Sequence, residues 1–359
     1  MTVYETEDGQ PIITQSMMKT FRQCPREAYY KYVLRLKPKV YSTPLTRGKW
    51  IHALLEVHYK GGDWKEEHAK WVSQYRKLFD EEKEKLGDLP QECARLMRGY
   101  LWHYGDPRYQ EYGWKVHEVE MTLETDLPNG HLFRGRVDLL VEDDFGLWIV
   151  DHKTHKRLPD WDYRLLDEQS PLYIWAARQM GIPVRGFMWN YIATSGMSTP
   201  TLLKDGKRFS KRLGDTDYPT YAQAVKQARK EAPDTFLSEN ADRDEVKRKL
   251  AQLKAERWNP YTPNGSPFFR RDILEKDDDL LQRVVETTCR TSERLHSYDF
   301  TNPDRVERNV DSCKGFMCSY KSLTMGDLLN GDSTMTMKRD YVQGDPMAYY
   351  GEEERLSNG

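Results

Sequence analysis

The sequence predicts an α/β fold: a helical N-terminal portion leading into a mixed central sheet flanked by helices. Two observations predict it. The apolar residues keep helical spacing up to about residue 104 and change to strand-like alternation from Trp114 onward. The segment that follows then reads strand, strand, strand, helix, strand, a run that lays a helix against a sheet.

Taken in order, residues 14–36 place Met18, Phe21, Tyr29, Tyr32 and Val33 at helical spacing, with Pro25 suited to open a second helix directly after Cys24. Two short helices joined at Cys24-Pro25 are expected. From Thr46 to about Tyr104 the pattern remains helical, interrupted by Gly and Pro at 61–63 and 87–90. Trp114, Val116, Val119, Met121 and Leu123 then begin a strand that ends at the turn Pro128-Asn129-Gly130. HLFRGRVDLLVE makes the second strand, EDDFG the next turn, and LWIVDHKT the third strand. A helix over about 171–180 stops at Gly181, and 183–194 reads as a further strand. Residues 204–212, KDGKRFSKR, form a basic loop. Residues 221–257 are charged and mostly helical, with no evident core of their own, and 327–359 is expected to be a mobile tail. The divisions expected are a helical N-terminal portion over 1–110, a core over 111–200, a helical C-terminal portion over 201–326 and the tail over 327–359.

Composition narrows the functional classes. The 359 residues suffice for one elaborate domain or two modest ones. With 31% charged residues and short apolar runs, the chain offers no stretch of about 20 apolar residues that would span a membrane. The first ten residues carry neither the basic nor the apolar region of a secretory signal, so a cytoplasmic setting is expected. Five cysteines, an odd count, argue against a disulfide framework and leave metal or iron-sulfur ligation as the use for any that cluster. Lys and Arg number 55 against 57 Asp and Glu, so a nucleic-acid partner would need a local basic patch.

The chemistry concentrates on the hairpin. Asp138 lies in GRVDLL on one strand, and Asp151 and Lys153 lie in VDHKT on the next. Residues two apart on a strand share a face. If the hairpin sets Asp138 beside Asp151, two carboxylates and an ammonium meet, equipment for holding Mg²⁺ and activating water. By itself, a D-x-K pair more often marks a solvated hairpin end with ordinary salt bridges. Glu118 and Glu120 on the preceding strand are reserve ligands, although surface charge explains both. HALLEVH lacks the HExxH spacing of a zinc protease.

The order of the motifs resembles the PD-(D/E)XK nuclease superfamily, in particular its RecB-like branch with the CRISPR-associated exonucleases, and a phage-type iron-sulfur exonuclease within it. That branch has G-x-x-x-H on a helix, an Asp on a strand, (D/E)-x-K on the next strand and Q-x-x-x-Y on the following helix. This chain has Gly48 and His52, then Asp138, then Asp151-His152-Lys153, then Gln169 and Tyr173, in that order. The resemblance covers about residues 14–192. It implies a restriction-endonuclease-like core with His52, Asp138 and Asp151 as ligands of Mg²⁺ or Mn²⁺, and the main-chain carbonyl of His152 facing the metal. Lys153 would be the catalytic lysine, with Gln169 and Tyr173 positioning substrate and catalytic elements. Pro171 suits a first helical position after a Ser170 cap, which would leave Gln169 just outside the helix.

Iron-sulfur members of that branch take one ligand from an N-terminal Cys-Pro and three from C-terminal cysteines. The resemblance therefore implies a 4Fe-4S cluster on Cys24, Cys289, Cys313 and Cys318 that closes the C-terminal segment over the core. Here the C-terminal spacing, C-x(23)-C-x(4)-C, is wider than the family's tight set, and a Cys₄ zinc site or unligated thiols are the alternatives. Cys93 reads as a buried small hydrophobe. Candidate DNA contacts are Arg47, Lys49, Arg134, Arg136, Lys207, Arg208, Lys211 and Arg212, with Tyr41, Trp50 and Trp161 available for stacking. The implied function is a metal-dependent DNA exonuclease acting on single-stranded ends in replication, recombination or repair, with a replication or recombination protein as a possible partner. The rival readings are a non-catalytic DNA-binding or assembly subunit and a structural iron-sulfur module. Cleavage polarity and oligomeric state are not legible.

Overall fold

The computed structural model describes residues 4–39, 42–105, 114–160, 162, 166–195, 200–201, 216–231, 240–256, 268–314, 318–329 and 331–347. Its centre is a mixed sheet. Strands β3 (Lys115–Asp126), β4 (Leu132–Asp143) and β5 (Gly146–His155) form an antiparallel meander, as the alternation and the two turn signals predict. The second turn is tight because the Asp143 carboxylate accepts from the amides of Phe145 (2.8 Å) and Gly146 (3.1 Å), and Gly146 takes a φ of +133° open mainly to glycine. Helix α7 (Gln169–Gln179) crosses over to β6 (Val184–Ala193), parallel to β5, and β7 (Phe269–Leu274) completes that side antiparallel to β6. On the other side, the two-residue β1 (Ile12–Ile13) pairs with the start of β4. Both β1 and β7 enter the sheet from outside the 111–200 span read as the core.

Strands β4, β5 and β6 carry long buried runs because the sheet is covered on both faces. Ile149, Phe187 and Trp189 share a core with Leu172, Tyr173 and Ile174 of α7. A second core joins Trp50, Ile51, Leu54 and Leu55 of α3 (Thr43–Tyr59) to Leu96, Met97 and Tyr100 of α6 (Leu89–Tyr104), with Ile192 and Phe269 from the sheet. Between them run α4 (Trp64–Lys77), set off from α3 at the expected Gly61-Gly62, and α5 (Asp80–Leu86), set off from α6 at the expected Gly87; the break between α4 and α5 at Leu78-Phe79 was not expected. Cys93 is fully buried in this core, in keeping with the reading as a small hydrophobe.

Helix α1 (Gln15–Gln23) and helix α2 (Pro25–Ala28), continued by a π turn over Tyr29–Val33, meet at Cys24 as the Cys-Pro junction predicts. Two expectations need correction. The 221–257 stretch has a small core of its own: α8 (Tyr218–Glu231) and α9 (Asn240–Glu256) bury Tyr221, Ala224, Ala228, Val246 and Leu253 together. The stretch from 327, read as tail, is folded as far as residue 347. Helix α10 (Asp278–Ser297) and the short α11 (Val310–Lys314) precede α12 (Lys321–Leu328) and α13 (Thr334–Asp340). Strand β8 (Tyr341–Gln343) then pairs antiparallel with β2 (Leu36–Pro38). Aromatic burial explains the difference, since Tyr341 stacks on Tyr320 at 5.5 Å between ring centres. A polar anchor adds to it: Asp327 accepts from Arg26 Nε (3.0 Å) and from the Tyr30 hydroxyl. Residues 348–359 lie outside the described residues.

Candidate active site

The site forms where β4 and β5 part. Their ladder runs from Asp143 opposite Gly146 to Leu139 opposite Val150 and ends there. The next residues on the two strands are Asp138 and Asp151. Beyond the fork β5 stays paired to β6 as far as His155, while β4 is taken up by β1. The fork thus leaves two carboxylates with no ladder between them. One bond bridges it: the backbone N–H of His152 donates to Asp138 Oδ2 at 2.6 Å.

Helix α3 brings His52 to the fork, its Nδ1 3.3 Å from Asp138 Oδ1. Strand β3 brings Glu120, whose neighbours Val119 and Met121 pair with Leu139 and Val137 and so set it across from Asp138. Glu120 has a φ of +59°, a left-handed backbone that residues other than glycine seldom adopt and that clusters at functional sites. Ligand atoms of His52, Glu120 and Asp138 all lie within 4.8 Å of one another, and among the described residues this is the one such group. From α7, Gln169 Nε2 donates to Asp151 Oδ1 at 2.8 Å, and Lys153 Nζ lies 2.6 Å from Asp151 Oδ2. Lys153 also stands 5.3 Å over the Trp189 ring.

Charge is balanced in pairs: His52 with Asp138, Lys153 with Asp151, and Arg136 with Glu120. Burial works against the charged form of Asp138, but His52 outweighs it and holds the carboxyl well below the usual range. Burial likewise opposes the His52 imidazolium, and Asp138 overrides it, so its pKa is pushed up to about 9. Asp151 is lifted by burial to about 6 despite Lys153, and Glu120 is lifted to about 7 by burial and by Asp138. Lys153 is pulled down by burial, yet Asp151 and Asp138 raise it above its ordinary value.

Behind β5 a buried polar cluster holds the His152 ring. Asn190 Nδ2 lies 2.7 Å from His152 Nδ1 and donates to the Tyr100 hydroxyl at 2.8 Å. The Tyr59 and Tyr100 hydroxyls bond at 2.6 Å, and the Tyr59 ring stacks on His152 at 5.7 Å between centres. Burial drives the His152 pKa down to about 3, so the ring is neutral. The cluster anchors the residue whose amide grips Asp138, and a metal ligand is oriented by such supporting contacts.

Comparison with family models matches residues 12–323 to PDDEXK_1, described as the PD-(D/E)XK nuclease superfamily. The chain belongs to the PD-(D/E)XK nuclease superfamily. Comparison with curated proteins finds no match. Among solved structures, the crystal structure of SSO0001 is similar at 17% identity over 50% of this chain and 71% of that one, with a TM-score of 0.19, too low to carry a fold argument. Membership implies a phosphodiester hydrolase of the metal-dependent nuclease class, with DNA as its substrate.

In this nuclease the residues named from the sequence separate into those gathered at the fork and those placed elsewhere. His52, Asp138, Asp151, His152, Lys153 and Gln169 converge. Gln169 does so from inside α7, which starts two residues earlier than the proline suggested. The Asp167 carboxylate accepts from the Gln169 and Ser170 amides (3.1 and 2.8 Å), so Pro171, which has no N–H to satisfy, follows without cost. Tyr173 is buried over Gly135 and edge-on to Phe133, in the core around α7. Arg47 pairs with Glu92 at 3.0 Å, Arg134 with Glu124 at 2.9 Å and Arg136 with Glu120. Lys49 shares α3 with His52. Lys207, Arg208, Lys211, Arg212, Tyr41 and Trp161 lie outside the described residues. Trp50 is fully buried and stacks on Trp71, so it is core, not a base platform. Glu120 was only a reserve; the signal for it was its place across the turn from Asp138.

The donor set suits the metal that the family implies. One imidazole and two carboxylates fit Mn²⁺, and Mg²⁺ needs little more than one or two carboxylates and waters. Of the cysteines, Cys313 and Cys318 have sulfurs 3.7 Å apart, and Cys24 Sγ accepts from the amide of Asn309, four residues before Cys313 (3.4 Å). Cys289 is on α10, with its carbonyl accepting from Asn129 at 3.2 Å. No three cysteine sulfurs lie within 4.8 Å of one another among the described residues.

Proposed function

We propose that the chain is a DNA exonuclease that uses Mg²⁺ or Mn²⁺ to hydrolyse phosphodiester bonds, working on single-stranded ends in replication, recombination or repair. The observation that carries the reading is the β4/β5 fork, which gathers His52, Asp138, Asp151, Lys153 and Gln169 from four separate elements. A solvated hairpin end would not collect them. His52, Asp138 and Asp151 would hold the cation, with Glu120 added to the set. When bound, the cation polarises the scissile phosphate and lowers the pKa of its water. The chain's own residues do the rest. Lys153, fixed by Asp151, presents an ammonium to the developing negative charge. Gln169 orients Asp151 through its amide, and the His152 amide orients Asp138. Tyr173 acts at a distance by seating α7 on Gly135, a positioning role.

The finer reading keeps the 4Fe-4S cluster. Cys24, Cys313 and Cys318 share the corner where α1 ends and α11 begins, and α10, which carries Cys289, packs along α1. Four thiolates there would tie the C-terminal segment to the N-terminal helices. Iron and sulfide assays with visible absorbance on anaerobically purified protein test it. A stoichiometric cluster lost in Cys24→Ser supports it, and iron-free folded protein contradicts it. No helix among the described residues is long and apolar enough to cross a membrane; a cytoplasmic setting and a replication or recombination partner belong to the same proposal. Activity is tested on end-labelled DNA with and without metal: metal-dependent shortening from an end supports an exonuclease, and DNA binding without cleavage supports the assembly-subunit alternative.

A further inference from the structure

Of the three ion pairs at the fork, the one between Arg136 and Glu120 sets a side chain with no assigned part in the metal site or the catalysis against a member of the ligand group. Glu120 is a member of the His52, Glu120, Asp138 ligand group, so its carboxylate is claimed twice, by a guanidinium now and by a dication when metal is present. Its left-handed backbone, φ +59°, is a conformation a glutamate rarely takes, and the register of β3 on β4 sets it across from Asp138. Arg136 stands two residues before Asp138 on β4, so both lie on the same stretch of strand, and its side chain is 22% exposed against 7% for Glu120. The Arg136 side chain therefore reaches solvent more than that of Glu120 does. Arg134, two residues further along β4, pairs with Glu124, which belongs to no ligand group.

We propose that Arg136 is a substrate-phosphate ligand held in reserve by Glu120: a divalent cation seated on His52, Glu120 and Asp138 displaces the guanidinium, which then engages a phosphate of the nucleic acid. The inference rests on the nuclease reading and deepens it. A guanidinium and a dication sharing one carboxylate repel each other at close range in a site largely shut off from water. The guanidinium is the mobile one of the two, and its planar fork matches phosphate oxygens in a bidentate fashion. Metal and nucleic acid then bind cooperatively. By linkage the metal must tighten the nucleic acid by the same factor as the nucleic acid tightens the metal.

The experiment measures fluorescence anisotropy of a labelled single-stranded oligonucleotide in EDTA and in Ca²⁺, with its integrity checked on a gel, and Mn²⁺ affinity by calorimetry without oligonucleotide. Wild type should bind the oligonucleotide about tenfold tighter in Ca²⁺ than in EDTA, within the usual span of coupling. Arg136→Gln should lose most of that ratio and bind Mn²⁺ more tightly than wild type does. Arg136→Lys should keep part of the ratio, which separates charge from misfolding. Glu120→Gln should remove this ion pair and bind the oligonucleotide tighter than wild type in EDTA. That gain should vanish in Glu120→Gln/Arg136→Gln, whereas a general loss of negative charge would preserve it. An unchanged Ca²⁺-to-EDTA ratio in Arg136→Gln, with the oligonucleotide still bound, overturns the inference alone. No oligonucleotide binding by wild type in either condition overturns the nuclease reading with it.

Discussion

Metal binding to this site should be strongly pH-dependent, and His52 sets the size of the effect. Its imidazole must be neutral to bind a cation, yet Asp138, 3.3 Å away, pushes its pKa up to about 9. At pH 7 the proton competes across about two pH units, which is about 2.7 kcal/mol, or roughly 100-fold in affinity relative to a permanently neutral ring. Glu120, lifted to about 7, is half protonated there and steepens the fall below neutrality. Calorimetric titration with Mn²⁺ at pH 7, in two buffers of different ionisation enthalpy, counts the protons released. Between one and two per metal are expected. His52→Asn should bind more weakly at pH 9 but with a flatter pH profile. Release of almost no protons at pH 7, or an unchanged profile in His52→Asn, would refute the placement of His52 as a protonated partner that becomes a ligand.

The metal-free protein should lose stability as pH rises from about 5 to 9. His52, Glu120 and Asp151 all have raised folded pKa values, about 9, 7 and 6, so their contributions are complete below their unfolded values and are lost as pH climbs through these. Asp138, held low, acts in the opposite sense: its contribution is present above its unfolded value and is lost on acidification. Thermal melts in EDTA check the direction, and a melting temperature that climbs from pH 5 to 9 would contradict it. Asn190→Leu removes two buried hydrogen bonds, at about 2–4 kcal/mol in denaturant unfolding. It should also lower kcat in metal with little change in oligonucleotide affinity, while Asn190→Asp recovers part of the loss; an unaltered kcat would make the cluster merely structural. Asp327→Ala strips Arg26 of its buried partner and should cost roughly 3 kcal/mol in the same assay, whereas Asp311→Ala, at an exposed position of α11, should leave the unfolding curve unchanged.

The parts of the molecule that announced themselves are those with a local cause. Cys24-Pro25, the glycines between the N-terminal helices and the Asn129-Gly130 and Asp143–Gly146 turns each act within a few residues, and each element boundary they imply is where it was expected. Strands β1, β2, β7 and β8 are two to six residues long and owe their existence to partners far away in sequence, so no periodicity could reveal them. The fold of 327–347 depends on Arg26, Tyr30 and Tyr320 meeting it, again nonlocal. The meeting of His52, Asp138, Asp151, Lys153 and Gln169 at one fork was legible through the order of short motifs. The place of Glu120 beside them was not, because it depends on a register and on a positive φ. Asn190 and Tyr100 were invisible for a different reason: they touch the chemistry only through His152.

The central claim, a metal-dependent nuclease centred on the fork, is tested most directly by incubating end-labelled single- and double-stranded DNA with the purified protein in Mg²⁺ or Mn²⁺, beside Asp151→Ala and Lys153→Ala at matched folding. The account predicts loss of label that EDTA stops and that falls at least 100-fold in both variants, as expected when a positioned charged group is removed from a transition state. Intact DNA in wild type under both metals, or cleavage that survives in Asp151→Ala, would contradict it.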